Sequence, residues 1–173
     1  EAVRLLQARQ AQFQFASQID QATNQVILAF AQRLAGNTAE AKATAGQART
    51  LLDQLCHDQQ NNSFFVQQLA LADAVLGEEK MALREAEGAT RLLPSATDRL
   101  SGPTREEVLA LIQMMFGDSS RSTSTLSGLL QTPYISWLYG PMPATPALLR
   151  LDPIWDPLRA DHAFQKLCEG KPK

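Results

Sequence analysis

Three glycines constrain this chain more than any other feature. Gly36, Gly77 and Gly117 lie 41 and 40 residues apart, and each stands seven residues after the Ala of a Leu-Ala step. Beyond each glycine, small or apolar residues return at i, i+4 and i+7. The first unit carries Leu28, Ala29, Gly36, Ala41, Ala45 and Ala48; the second carries Leu69, Ala70, Gly77, Ala82, Ala86, Ala89 and Pro94. The third carries Leu109, Ala110, Gly117, Ser122, Leu126 and Leu129. Self-similarity at a fixed period marks an array of supersecondary units.

The spacing predicts three helical hairpins. Ala29, Ala70 and Ala110 let the two helices of a hairpin approach closely. Each glycine ends its first helix, because glycine enters the left-handed region without a Cβ penalty. Asn37 with Glu40 predicts a capping box for the next helix, and Asp118 predicts a cap in the third unit. Ala41, Ala82 and Ser122 then face back on the first helix and must be small. A single hairpin leaves one apolar face uncovered, so neighbours must stack to bury it. The chain is rich in Ala, Leu and Gln, poor in β-branched residues, and 45% hydrophobic over 173 residues. That is helix-forming composition, with enough apolar side chain for one domain or one short array.

The order Leu, small, Gly, Ala, Ala and Pro over residues 22–134 resembles the tetratricopeptide repeat. These units run to 40–41 residues, whereas the family's repeat has 34, so loops or helix ends are extended. Gln25 and Val66 stand where the family places an aromatic, and Gln32, Asp73 and Gln113 where it places a tyrosine. The resemblance implies an all-α fold, a right-handed α-solenoid of three hairpins over residues 21–134. Residues 1–20, with Ala8, Gln12 and Phe15 in register and Asp20 near the turn, fit the second helix of a preceding, truncated repeat. The chain opens directly inside a helical pattern, which reads as a fragment of a longer protein.

Residues 135–173 are predicted as a proline-rich break and a capping segment. Thr132-Pro133, Gly140-Pro141 and Pro143 interrupt the helical pattern. Thr145-Pro146 then starts a helix over 146–151, and Asp152-Pro153 and Asp156-Pro157 each suggest an N-capping Asp before a short helix. The string from Leu151 through Asp161 to Phe164 and Leu167 resembles the C-terminal ending of bacterial tetratricopeptide proteins. In those proteins the repeats follow a kinase, a nucleotide cyclase or a winged-helix domain. That implies a regulatory protein's scaffold or sensor region. Trp155 and Phe164 are expected to cap the last hairpin.

Catalysis finds no support. His57 beside Cys56, and His162 six residues from Cys168, lack partners at ligand spacing, so no metal and no cofactor is expected. The serine-rich run from Ser119 to Ser127 has no accompanying His or Asp arrangement and reads as a capped, soluble helix. A net charge of −2 without a basic run gives no electrostatic footprint for nucleic acid. No apolar run approaches the roughly 20 residues that span a bilayer. Targeting signals upstream of Glu1 would decide the compartment; the cytoplasm is preferred, and an upstream membrane anchor would place the chain outside it.

Interaction is the remaining function class. Repeats of this type hold peptides on the concave face lined by their first helices. Carried over residue by residue, the resemblance implies Val26, Phe30 and Arg33, then Phe64, Gln67 and Leu71, then Glu107, Leu111, Met114 and Met115. Thr23, Leu34, Ala74, Val75 and Thr104 flank them. The set is mainly apolar with one cation, Arg33, which does not suit a carboxylate clamp. The expected partner is a protein, either as a helix or extended peptide in the groove or as a second copy of this chain. A small ligand between the hairpins and the tail is the further alternative. Some of these residues are also expected to pack between hairpins, and the proline-rich segment and tail could cover the groove from within.

Overall fold

The computed structural model describes residues 1–12 and 17–170. These residues form helices α1 (Ala2–Gln12), α2 (Gln18–Leu34), α3 (Thr38–Asp58), α4 (Ser63–Leu76), α5 (Glu79–Leu92), α6 (Gly102–Met115), α7 (Ser119–Leu129), α8 (Pro146–Leu151) and α9 (His162–Cys168). A 3-10 helix over Pro153–Leu158 separates the last two. The architecture is all-α; among the described residues no strand forms, and the single bridge joins Ser136 to Gly140. Two compact units, residues 1–85 and 86–173, divide the chain within α5.

The three glycines end their helices in one way. Gly36, Gly77 and Gly117 have φ of +81°, +91° and +84°. Each glycine N–H reaches back three residues: Gly36 to Arg33 O at 3.0 Å, Gly77 to Ala74 O at 3.3 Å, Gly117 to Met114 O at 3.0 Å. The following N–H reaches back five, from Asn37, Glu78 and Asp118 to Gln32, Asp73 and Gln113 carbonyls, each at 2.9 Å. This is the Schellman pattern, and it satisfies carbonyls that the helix end leaves open.

The same residue that closes one helix opens the next. Asp118 is the N-cap of α7, and its carboxylate accepts the Arg121 N–H at 3.1 Å. Asn37 is the N-cap of α3, with nearly identical backbone angles, yet its side chain makes no capping hydrogen bond. The expected Asn37–Glu40 capping box is absent for a structural reason. A capping box needs the N-cap N–H for the Glu side chain, and Asn37 N–H is already committed to Gln32 O. At Asp118 the carboxylate is additionally held by the Arg121 guanidinium.

In the first unit α1 lies against α2, α2 packs on α3, and α4 packs on both α2 and α3. Ala22, Val26, Ala29, Ala45, Ala48, Ala70, Leu71 and Leu52 are all at most 1% exposed. Alanines at the crossing points bring the helix backbones together, and the larger side chains fill the remaining space. α2 begins at Gln18, earlier than the boundary at 21 expected from the sequence. Ser17 caps it: Asp20 N–H donates to Ser17 Oγ at 3.1 Å, and the Ser17 hydroxyl donates to Asp20 Oδ2 at 2.8 Å. Asp20 therefore belongs to the first turn of α2 and not to the turn before it. Phe15, assigned from sequence to the preceding helix, lies outside the described residues.

In the second unit α6 packs on α7, the 3-10 helix on α6, and α9 on α7 and α8. Ser122 faces back as its small size predicts, and its hydroxyl donates to Ala110 O at 2.8 Å. Leu111, Ile112, Leu126, Leu149, Trp155, Leu158 and Phe164 form the core, none more than 1% exposed. Thr145 caps α8, accepting Leu148 N–H at 3.2 Å, and Asp152 caps the 3-10 helix, accepting Ile154 N–H at 3.0 Å. Asp156 does not start a helix. Pro157 lies inside the 3-10 helix, and Asp156 instead binds the Arg159 guanidinium. The cap of α9 is Asp161, which accepts Phe164 N–H at 2.9 Å.

Candidate interaction surface

The ten residues carried over to a concave face have two fates. Val26, Phe30, Gln67, Leu71, Glu107, Leu111 and Met114 are buried, with at most 6% exposure, so they pack the interiors of their units. Arg33, Phe64 and Met115 are half-buried and present part of their side chains to solvent. Of the flanking positions, Ala74, Val75 and Thr104 are buried, Thr23 is half-buried, and Leu34 is 60% exposed.

Glu107 explains the burial on α6. Its carboxylate lies at the centre of a polar cluster made by residues 134–137. The Tyr134 hydroxyl donates to Glu107 Oε1 at 2.8 Å, and the Ser136 hydroxyl lies 2.7 and 2.9 Å from the two oxygens. Trp137 N–H donates to Oε2 at 2.7 Å. Burial pushes the Glu107 carboxyl above its ordinary range, and these donors oppose that shift. A buried carboxylate must be supplied with hydrogen bonds, and here three groups of one short segment supply them.

The rest of that segment follows the same helix. The Thr104 hydroxyl donates to Ile135 O, and Ile135 N–H donates to Leu100 O at 3.1 Å. Ser136 Oγ accepts the Leu138 and Tyr139 N–H groups at 3.0 and 2.9 Å, and Ser136 N–H closes the turn on Gly140 O at 2.9 Å. Gly140 takes φ of +68° there. Tyr139 in turn accepts the Trp155 indole N–H at 3.0 Å. The proline-rich segment thus covers the Glu107 face of α6 and leads into the 3-10 helix, where Trp155 is fully buried. Sequence reasoning placed Glu107 on an open face and left the covering of that face undecided. The usable signal was Glu107 itself, a carboxylate one turn before Leu111 on the same side of the helix, which requires donors from elsewhere in the chain when that side is buried.

One position recurs with its polarity intact. Gln32, Asp73 and Gln113, the three departures from a tyrosine, are 3%, 0% and 4% exposed. Each lies five residues before the Schellman donor that binds its carbonyl. Asp73 faces Arg49 of α3, with Nε 3.2 Å from Oδ1.

Open apolar side chains occur in both units: Leu100, Met142 and Leu151 of the second are 55%, 58% and 71% exposed, and those of the first lie on α1 and α2. Leu5 of α1 is 65% exposed, and Ile19, Ile27 and Leu34 of α2 are 36%, 37% and 60% exposed. The α2 residues recur at spacings of eight and seven, which sets them along one side of the helix. In the second unit a hollow of about 570 Å³ lies between Leu130, Pro133, Pro146 and Leu167, with Lys166 its one charged lining residue among the described residues.

Both cysteines are free thiols. Burial, with Glu85 and Asp53 adding to it, pushes Cys56 up to about 11, and burial also raises Cys168; neither is primed as a thiolate nucleophile. His57 is exposed and lies 3.5 Å from Asp58. No group of three potential metal-binding side chains occurs among the described residues. Among the described residues no helix is long and apolar enough to cross a membrane.

Compared with protein-family models, with curated proteins and with solved structures, the chain finds no match.

Proposed function

We propose that this chain is a tetratricopeptide-like interaction module of a signalling or regulatory protein, in which helical hairpins stack as a right-handed solenoid and hold a partner polypeptide. The observation that carries this reading is the packing of α2, α3 and α4. The first helices of two successive hairpins lie against each other, and the second helix of the earlier hairpin lies against both. That is how a repeat buries the face its own hairpin leaves open. The three glycine turns, alike in φ and in hydrogen-bond pattern at a 40–41-residue period, support it.

The partner-contacting residues are the accessible members of the first-helix set, each within its own unit: Arg33 with adjacent Leu34, and Phe64, in the first, and Met115 in the second. Phe64 supplies an aromatic anchor and Met115 an adaptable one. Mechanistically the module acts by apolar shape complementarity and needs no cofactor. The Asp-Pro-Ile-Trp-Asp-Pro-Leu-Arg string, resembling the endings of bacterial regulatory proteins, supports the regulatory setting.

Site-specific photo-crosslinking tests the reading. A benzophenone amino acid at Phe64 or Met115 is expected to capture a polypeptide in cells of the source organism, whereas the same group at exposed Arg84 is not. Equal adducts at all three positions, or none at Phe64 and Met115, would count against it. A second reading, self-association, is favoured by the exposed stripe of Ile19, Ile27 and Leu34.

A further inference from the structure

The second repeat departs from its sisters at two coupled places. Where the first and third units carry Gln32 and Gln113, the second carries Asp73; at the register position twelve residues later, Thr44 and Thr125 give way to Glu85. Two neutral pairs are thus matched by one pair of carboxyls. Asp73 is completely buried, and Glu85 of α5 stands against it within hydrogen-bonding reach. Apart from that pairing and the Arg49 ion pair, neither Asp73 oxygen has a hydrogen-bond partner, and neither does the buried Glu85 Oε2.

Two neighbouring carboxyls, one of them fully buried, do not both ionise at such a place, because each charge repels the other and burial disfavours both. Arg49 touches Asp73 directly, which fixes the negative charge there and the proton on Glu85. The remaining charged surroundings do not alter this. Asp53 and the Cys56 thiol come from α3, Glu78 from the turn, and Arg84 from α5 itself. We propose that Asp73 and Glu85 share one proton, and that this protonated pair latches the first half of α5 onto α3 and α4, so that loss of the proton loosens α5. The device would let the first unit respond to alkalinity.

Burial, then the Asp73 charge, raises Glu85 from an ordinary 4.5 to about 8. The folded chain therefore binds this proton more tightly than the unfolded chain. The stabilising contribution is full below about 4.5 and is lost as pH rises through about 8.

The test is amide hydrogen exchange of α5 in the full chain between pH 6 and pH 8.5, with rates corrected for intrinsic exchange, alongside carboxyl-carbon NMR of Glu85. Wild-type protection over residues 82–90 is expected to fall at least threefold across that range. Glu85→Gln, which keeps a donor for Asp73, is expected to hold constant protection. Glu85→Thr restores the sister residue and serves as a second pH-insensitive variant should Glu85→Gln fold poorly. A Glu85 carboxyl carbon titrating between 7 and 9 supports the latch. One titrating near 4.5, or identical pH profiles for wild type and the neutral variants, overturns it.

Discussion

At the scale of single residues, the left-handed glycines and the buried Glu107 carry costs that can be measured. A Cβ added at Gly36, Gly77 or Gly117 meets nothing within 4 Å, so the penalty of an alanine there is purely conformational. Each Gly→Ala variant is expected to lose about 1–2 kcal/mol in urea unfolding, the cost of a left-handed L-residue. The three should lose similar amounts, because the three turns are equivalent. Glu107 differs, since its removal strands several donors at once. Glu107→Ala should cost about 2–3 kcal/mol and red-shift the tryptophan emission as Trp137 loses its anchor. Ser136→Ala, which removes one of these donors, should cost about 1 kcal/mol in the same measurement.

At the scale of elements, the helices of the hairpins were legible because three signals agree there: apolar spacing, small residues at the crossings, and a glycine stop. The Thr145 cap and the 146–151 helix were legible from local chemistry alone. Where the sequence reading went astray, a distant or competing bond decided the outcome. Asn37 could not support a capping box once its N–H was taken by Gln32 O. Asp156-Pro157 resembled a helix start, but the preceding Asp152 cap had already set a 3-10 turn running through it. Residues 134–140 read as a break because their partners, Thr104 and Glu107, lie about thirty residues away. The start of α6 is marked locally by Pro103 in its first turn, after Ser101 at the cap position. A Cβ at Gly102 would stand 2.7 Å from Ser95 N and Cα, so the loop after α5 crosses directly over the first turn of that helix. Gly102→Ala is therefore expected to exceed the turn glycines in cost, at about 2–3 kcal/mol by calorimetry, because backbone must move.

At the scale of the whole molecule, burial divides the proposed binding set more sharply than sequence could. Helical period assigns a residue to a face, but it does not say whether another segment covers that face. Val75 of α4 is 2% exposed, while Leu34 at the equivalent position of α2 is 60% exposed. The exposed stripe on α2 makes a prediction of its own. Sedimentation velocity should show concentration-dependent association of the wild type, and Ile27→Lys with Leu34→Lys should return a single monomeric species. A wild type that stays monomeric at high concentration assigns the stripe no role in self-association.

The dual-purpose turns have a consequence for how such a chain can change length. In each hairpin the residues that finish one helix are already committed to starting the next, with no spare position between them. One inserted residue would swing the following helix by about 100° around its own axis. The alanines at 41, 45 and 48 would then point away from α2, and larger side chains would take their place. Insertion scanning should therefore find the joints at 36–37, 77–78 and 117–118 intolerant. Between α3 and α4 the exposed pair Gln60 and Asn61 stands between the Gln59 and Asn62 caps, and extra residues there should be accepted, making it the natural site for a graft or a tag.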